Sequence, residues 1–329
     1  MTEKNKHNCR VISFINMKGG VGKTTLSINT ANYLANKNNK VLILDLDPQF
    51  NATQSLLLRQ NNKYTLDNSR IKNNKFEGYI DNINTIGPDS ENEIINAQAR
   101  SAQYYKDLSE NQKTILQVFS PTNFNENSKK DLILKFNDNL SFVPGDLELS
   151  RVIAGDTANK VAIIDGYIAD YNLKNLFDYI IIDCPPTWSI LTHSALYASN
   201  YYIIPSRIDF YSSIGINSLQ DKISKYLIND RMYKETSRKL FNLGIVFTMT
   251  TSLKAERDIK EVVTEDYKSR MPIFEADIPL IRSASSNFIF YSEVSDNEIY
   301  SNLTNGFEKV MEQMCEQIKK YEKGATNGQ

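Results

Sequence analysis

Within eight residues the chain places a lysine, three glycines, a second lysine and two threonines: Lys18-Gly-Gly-Val-Gly-Lys-Thr-Thr. These residue types suit the binding of a polyphosphate. Gly19, Gly20 and Gly22, with Val21 among them, leave backbone N–H groups free to point at phosphate oxygens. A helix opening directly behind them adds its partial positive charge. Lys23 would sit on the β- and γ-phosphates and the Thr24 hydroxyl on Mg²⁺, with Thr25 next in the same turn. Asp45, Asp47 and Asp183 each close an apolar run. A buried strand has no structural need for such acids, so they are candidates for chemistry. Asp183 would hold the Mg²⁺ sphere, through a water or through Thr24, because Mg²⁺ keeps several of its waters.

These groups work only if the right elements carry them. Val11 to Ile15 is β-branched and aromatic and reads as a buried strand. Leu26, Ile28, Ala31, Leu34 and Ala35 then recur at helical spacing. A second strand runs from Val41 and places Asp45 and Asp47 at its C-terminal end, the edge of a parallel sheet where ligands bind. Tyr179 to Ile182 is apolar throughout, as a strand buried on both faces should be, and Asp183-Cys-Pro-Pro stops it. Further strands are read from Leu140, Tyr201 and Leu243. Helices are read over 54–60, 91–108, 113–120, 147–170 and 297–322. Between 61 and 112 the sequence loses apolar periodicity and turns polar, which reads as an insertion into one domain spanning 1–329. Alternating strands and helices imply an α/β fold: an open, mostly parallel sheet with helices on both faces.

Bulk properties narrow the function. The chain has 329 residues, 41% hydrophobic and 23% charged, the composition of an ordinary globular protein. A formal net charge of −1 gives no global basic field, so any nucleic-acid binding must come from a local patch. Cys9, Cys184 and Cys315 are scattered, form no metal spacing and no disulfide framework, and suit a reducing cytoplasm. The polar N-terminus is no secretory signal, and no apolar stretch approaches the ~20 residues of a membrane span.

The loop at 18–25 departs from the ordinary pattern G-x-x-x-x-G-K-[ST]: Met17 stands where the first glycine would be, and an extra lysine, Lys18, comes early. In this it resembles the deviant Walker A box of the ParA/MinD family of P-loop ATPases. Two further stretches carry the resemblance. Asp47-Pro-Gln-Phe-Asn-Ala-Thr is similar to that family's D-P-Q-G-N-A-T, with Phe50 in place of the glycine. Phe177-Asp-Tyr-Ile-Ile-Ile-Asp-Cys-Pro-Pro looks like its Walker B strand. The polar lead of 1–10 leaves no room for the DNA-binding domain that some plasmid members carry, so the likeness is to the short ParA form.

The resemblance implies a Mg²⁺-dependent ATPase. Lys18 would reach across a homodimer to the partner's ATP, and Asp47 would position the attacking water. Asp45 would support the Mg²⁺ shell or the loop, and Met249 and Pro279 would flank the adenine. Asp209 and Tyr211 would lie in a switch region. The ATP-bound dimer would bind double-stranded DNA without sequence preference, and a ParB-type adaptor bound at a centromere would trigger hydrolysis, in a nucleoid-associated, cytoplasmic setting. Candidate DNA contacts are Lys222, Lys225, Arg231, Lys234, Arg238 and Lys239 in one basic segment, and Lys254, Arg257, Lys260 and Arg282 beyond it. The bland reading of such a run is a solvated face.

Competing readings are a MinD-like membrane ATPase using the amphipathic last helix, an iron–sulfur reductase, a tyrosine kinase, and an ATPase that positions another cargo. The last helix reads as core packing, the cysteines lie near the termini, and only Tyr300 and Tyr321 stand near the end. The cargo remains open.

Overall fold

The computed structural model describes residues 9–66, 88–120, 132–154, 160–209, 211–251, 253–281, 289–295 and 297–326. In chain order the elements begin with β1 (Arg10–Phe14), α1 (Lys23–Asn36), β2 (Val41–Asp45), α2 (Asn51–Leu66), α3 (Pro88–Glu110) and α4 (Leu116–Phe119). They continue with β3 (Leu134–Lys135), β4 (Leu140–Val143), α5 (Leu149–Ala154), α6 (Ile163–Asp170), β5 (Tyr179–Asp183), α7 (Ile190–Ala198) and β6 (Tyr201–Ser206). Next come α8 (Ser212–Ile223), α9 (Arg231–Glu235), β7 (Phe241–Thr250), α10 (Lys254–Tyr267), β8 (Ile278–Pro279) and α11 (Ser301–Thr326).

The strands form one eight-stranded sheet in the order β3-β4-β2-β5-β1-β6-β7-β8. All neighbours are parallel except β3, which runs antiparallel to β4. The order reverses around β1, which lies between β5 and β6. Such a switch point opens a crevice at the carboxyl ends of the strands.

Side chains alternate between two cores, one on each face, which is why the central strands read as unbroken apolar runs. Val11 and Ile15, Leu42 and Leu44, and Ile180 and Ile182 face one core with α5, α6, α7, α8 and α10. Ile12 and Phe14, Val41 and Ile43, and Ile181 face the other with α1, α2 and α11. The apolar stripe of α11 (Phe307, Val310, Met311, Met314, Ile318) is fully spent in that second core. No helix of the described residues is long and apolar enough to cross a membrane.

Two expectations are corrected. The single helix read over 147–170 is two, α5 and α6, and residues 155–159 between them lie outside the described residues. The helix read over 54–60 runs on to Leu66, into the polar stretch 61–112, while the helix read over 91–108 within that stretch is present as α3, 23 residues long. Residues 67–87 lie outside the described residues. Buried Ala97 and Leu108 seat α3 on the fold, Leu108 in the second core, so a few apolar positions suffice where periodicity is weak.

Candidate functional site

The nucleotide loop leaves β1 and turns into α1. Gly20 and Gly22 have φ of 68° and 76°, the left-handed region that favours glycine. Two side chains pin the loop to the strands beside it. Asn16 Nδ2 donates to the Pro205 carbonyl at 2.7 Å, while its Oδ1 accepts from the Lys18 N–H at 3.0 Å. Thr248 Oγ1, at the end of β7, donates to the Val21 carbonyl at 2.8 Å. The loop is thus tied to β6 and β7 as well as to itself.

Lys23 is buried, and its Nζ donates to the Lys18 carbonyl at 3.3 Å. Burial pulls its pKa down, and the carboxylates of Asp183 and Asp47 pull it back up. Thr24 and Thr25 follow in the first turn of α1.

The three carboxylates sit in different environments. Asp45 and Asp183 are register partners on adjacent strands β2 and β5. Asp183 is 0% exposed and neither of its oxygens has a hydrogen-bond partner among the described residues. Burial pushes its carboxyl well above the usual range, opposed by the nearby Thr24 hydroxyl, the Lys23 ammonium and the Ser27 hydroxyl, none of which meets full hydrogen-bond geometry. A buried, unpartnered carboxylate beside a threonine hydroxyl is what a hydrated divalent cation requires, so the residues present fit Mg²⁺.

Asp45 is also buried, but its oxygens are engaged. Oδ2 accepts from the Thr53 N–H at 2.8 Å and the Thr53 hydroxyl at 2.7 Å, and Oδ1 accepts from the Asp47 N–H at 3.2 Å. Thr53 Oγ1 in turn accepts from the Gly145 N–H at 2.7 Å. Of the two roles left open by the sequence, support of the loop is the one these bonds favour. Its Oδ2 is thus tied to the start of α2 and its Oδ1 to the turn after β2, which leaves Asp183 the less engaged of the two carboxylates.

Asp47 stands at the mouth of the site, 6% exposed, with Oδ1 accepting from the Gln49 N–H at 2.9 Å. Burial raises its pKa, and the Gln49 N–H and Lys23 hold it down. Phe50, in the position where glycine was expected, keeps the turn by adopting φ of 40°.

Lys18 forms an ion pair with Asp209 of its own chain, in the segment that leaves β6. Against the upward push of partial burial, this lysine draws the Asp209 carboxyl below its usual range. Met249 and Pro279 come together in the wall of a cleft beside Gly22, with Thr248, Leu280, Tyr291 and Leu303. Tyr291 and Leu303 carried no signal in the sequence, because only the fold brings the segment before α11 and its first turn beside Gly22.

The basic residues are not brought together. Lys222, Lys225, Arg231 and Lys234 follow α8 toward the edge where β7 begins, the end of the sheet opposite the nucleotide loop. Arg231 pairs with Glu235 at 3.0 Å. Lys254 and Arg257 open α10 at the exit of β7, on the same edge as the nucleotide loop, and both are exposed. Two candidates are paired within the chain. Arg238 pairs with Asp165 at 2.6 Å and donates to the Tyr197 carbonyl, and Lys260 pairs with Asp277 at 2.6 Å. Both cations are used in holding elements together. Arg282 lies outside the described residues.

Comparison with known proteins agrees with this geometry. Residues 9–240 match the family AAA_31, described as an AAA domain. The chain is 27% identical over 275 residues to the sporulation initiation inhibitor protein Soj of Bacillus subtilis, covering 82% of this chain and 84% of that protein. It is 26% identical over 279 residues to the chromosome partitioning protein ParA of Myxococcus xanthus, covering 82% and 75%. Among solved structures, a candidate plasmid partition protein from Borrelia burgdorferi B31 bound to AMPPNP superposes with a TM-score of 0.62 at 19% identity, over 94% of this chain and 99% of that one. Apo McdA of Cyanothece does so with a TM-score of 0.63 at 18% identity, over 93% and 99%. The chain belongs to the AAA_31 family, in its ParA/Soj branch of P-loop partition ATPases.

Proposed function

We propose that this chain is a Mg²⁺-dependent ATPase of the ParA type that segregates DNA. It binds ATP, pairs with a second copy, holds duplex DNA without sequence preference while ATP is intact, and releases it after hydrolysis stimulated by a ParB-type partner. The observation that carries the reading is Asp183, a buried carboxylate with two unpartnered oxygens beside Thr24 and Lys23. The AMPPNP bound to the Borrelia protein, and the ATP analogue and magnesium bound to a cobyrinic acid a,c-diamide synthase of Mycobacterium smegmatis with a TM-score of 0.61, support the same ligands here.

The geometry supports the following division of labour. The loop amides and Lys23 neutralise charge on the β- and γ-phosphates. Thr24 and Asp183 would hold Mg²⁺, which when bound supplies further neutralisation of the phosphate oxygens. Met249 and Pro279 flank the base. Asp47 orients the attacking water, and its position is fixed by the Gln49 N–H and by the Asp45–Thr53 bonds beneath it. Lys18 completes the partner's site once it leaves Asp209. Asp47→Ala is therefore expected to bind ATP normally but to hydrolyse it about 100-fold more slowly. It should remain a DNA-bound dimer when chased with ADP. Turnover near the wild-type rate would remove Asp47 from the mechanism.

Lys254 and Arg257 are the better-placed DNA contacts. They share the nucleotide edge, and Lys254 occupies a helix N-terminus, where a cation is disfavoured until an anion such as phosphate joins it. Binding to random-sequence duplex DNA should require ATP and weaken steeply with salt. Each phosphate contact contributes roughly −0.9 to the slope of log K against log salt. Replacing Lys254 and Arg257 by alanine should flatten that slope by roughly two units, whereas the same change at Lys222 and Lys225 should not. Absence of DNA binding in every nucleotide state, with ATP hydrolysis intact, would shift the function to another cargo. The membrane alternative has no support in α11, whose apolar stripe is buried.

A further inference from the structure

The helix of the polar insertion reaches the turn that carries Asp47. The Tyr105 ring of α3 stacks on the Phe50 ring, with centroids 4.2 Å apart and planes within 6°. Phe50 holds a left-handed backbone, which is uncommon for a bulky side chain, at the position where the related motif has glycine. Its N–H donates to the Asp47 carbonyl at 2.8 Å, closing the turn from Asp47 to Phe50. The Tyr105 hydroxyl accepts from the Leu147 N–H at 3.3 Å, in the segment after β4. That same segment presses on the site from below. A side chain at Gly145 would come within 2.8 Å of the Asp45 carboxyl carbon and 2.9 Å of the Phe50 Cβ. Thr114 Oγ1 donates to Asp146 at 2.6 Å, both buried, which locks the end of the insertion to this segment.

We propose that Tyr105 is a positioning residue for ATP hydrolysis: its stack on Phe50 holds the turn that presents Asp47 to the attacking water. The proposal rests on the reading of Asp47 given above. A glycine adopts the left-handed turn unaided, whereas Phe50 needs a flat partner on its ring to stay there. The insertion thereby becomes part of the hydrolytic machinery, and a ligand that moves α3 will change the hydrolysis rate without touching nucleotide.

The test compares Tyr105→Ala, Tyr105→Phe and the double change Tyr105→Ala with Phe50→Gly. Tyr105→Ala should lower kcat about tenfold with KM for ATP unchanged, since a small misplacement of a reacting group is costly while phosphate binding lies elsewhere. Tyr105→Phe keeps the stack and should retain most of kcat. Adding Phe50→Gly to Tyr105→Ala should recover most of the lost kcat, an outcome that mere docking of α3 would not give. An unchanged kcat in Tyr105→Ala, a rise in KM alone, or no recovery with glycine would overturn the proposal. Amide hydrogen exchange at Gln49, Phe50 and Thr53 keeps the two ideas separable. If the wild-type chain does not hydrolyse ATP, the reading of the site is what fails. Unchanged exchange in Tyr105→Ala then still overturns the coupling, and severalfold faster exchange supports it.

Discussion

Asp183→Asn is expected to stabilise the nucleotide-free protein and to disable it. The carboxyl is fully buried, unpartnered, and faces Asp45 in register on the next strand. Its pKa is raised in the fold, so the folded state binds the proton more tightly than the unfolded chain does. Stability from this group is present below the ordinary carboxylate pKa and is lost as pH rises through the raised folded value. Asparagine removes that loss. Removing the desolvation penalty of this buried charge is worth about 1–3 kcal/mol, and each kcal/mol moves the melting temperature by roughly 2–4 °C in a chain of this size. The gain should appear at pH 8 and vanish near pH 4, where the wild-type carboxyl is neutral as well. Mg²⁺ with an ATP analogue should raise the melting temperature of wild type and not of the variant. Hydrolysis should fall ~100-fold or more, the loss of several kcal/mol of charge stabilisation. Thermal scans over pH decide it: a lower melting temperature for Asp183→Asn at pH 8 would show that the carboxyl is satisfied in the free protein.

Lys18 and Asp209 should give opposite results in the same assay. Their ion pair is about one-third exposed on each side, so it contributes at most about 1 kcal/mol. A symmetric dimer in which each Lys18 crosses to the other nucleotide must break two such pairs. Asp209→Ala should therefore tighten ATP-dependent dimerisation by up to about fivefold per protomer, or about 25-fold in the dimer constant. Lys18→Ala should abolish dimerisation and DNA binding while leaving the affinity of the monomer for ATP nearly intact. Sedimentation with a non-hydrolysable ATP analogue reads both. Wild-type dimerisation in Lys18→Ala would remove the lysine from the interface. No change in Asp209→Ala would mean that the pair is already open in solution.

Much of this architecture was legible in the residues. Strands buried on both faces have to be apolar throughout, so Val11–Ile15, Val41–Leu44 and Tyr179–Ile182 stand out, and a carboxylate at the end of such a run cannot be mistaken for surface. Gly20 and Gly22 mark backbone that few other residues tolerate. What was not legible depends on partners far away in sequence. Arg238 resembles its basic neighbours until Asp165, 73 positions earlier, is seen against it. Asp45 resembles Asp183 until Thr53 is seen donating two hydrogen bonds to one of its oxygens. Phe50 contradicts the local rule for a left-handed turn, and its explanation lies on a helix whose own sequence is mostly polar.

The ends of the sheet carry a consequence of their own. Both outermost strands, β3 and β8, are two residues long; one carries Lys135, and the other includes Pro279, which has no N–H to offer. Among the described residues, the sheet therefore presents almost no ladder on which another chain's strand could grow. A protein whose proposed work requires copies to meet and separate on cue gains from this: strand addition would be slow to reverse and indifferent to nucleotide. With both rims blunted, the proposed association falls to the surface that bears Lys18, where a bound phosphate would make or undo it.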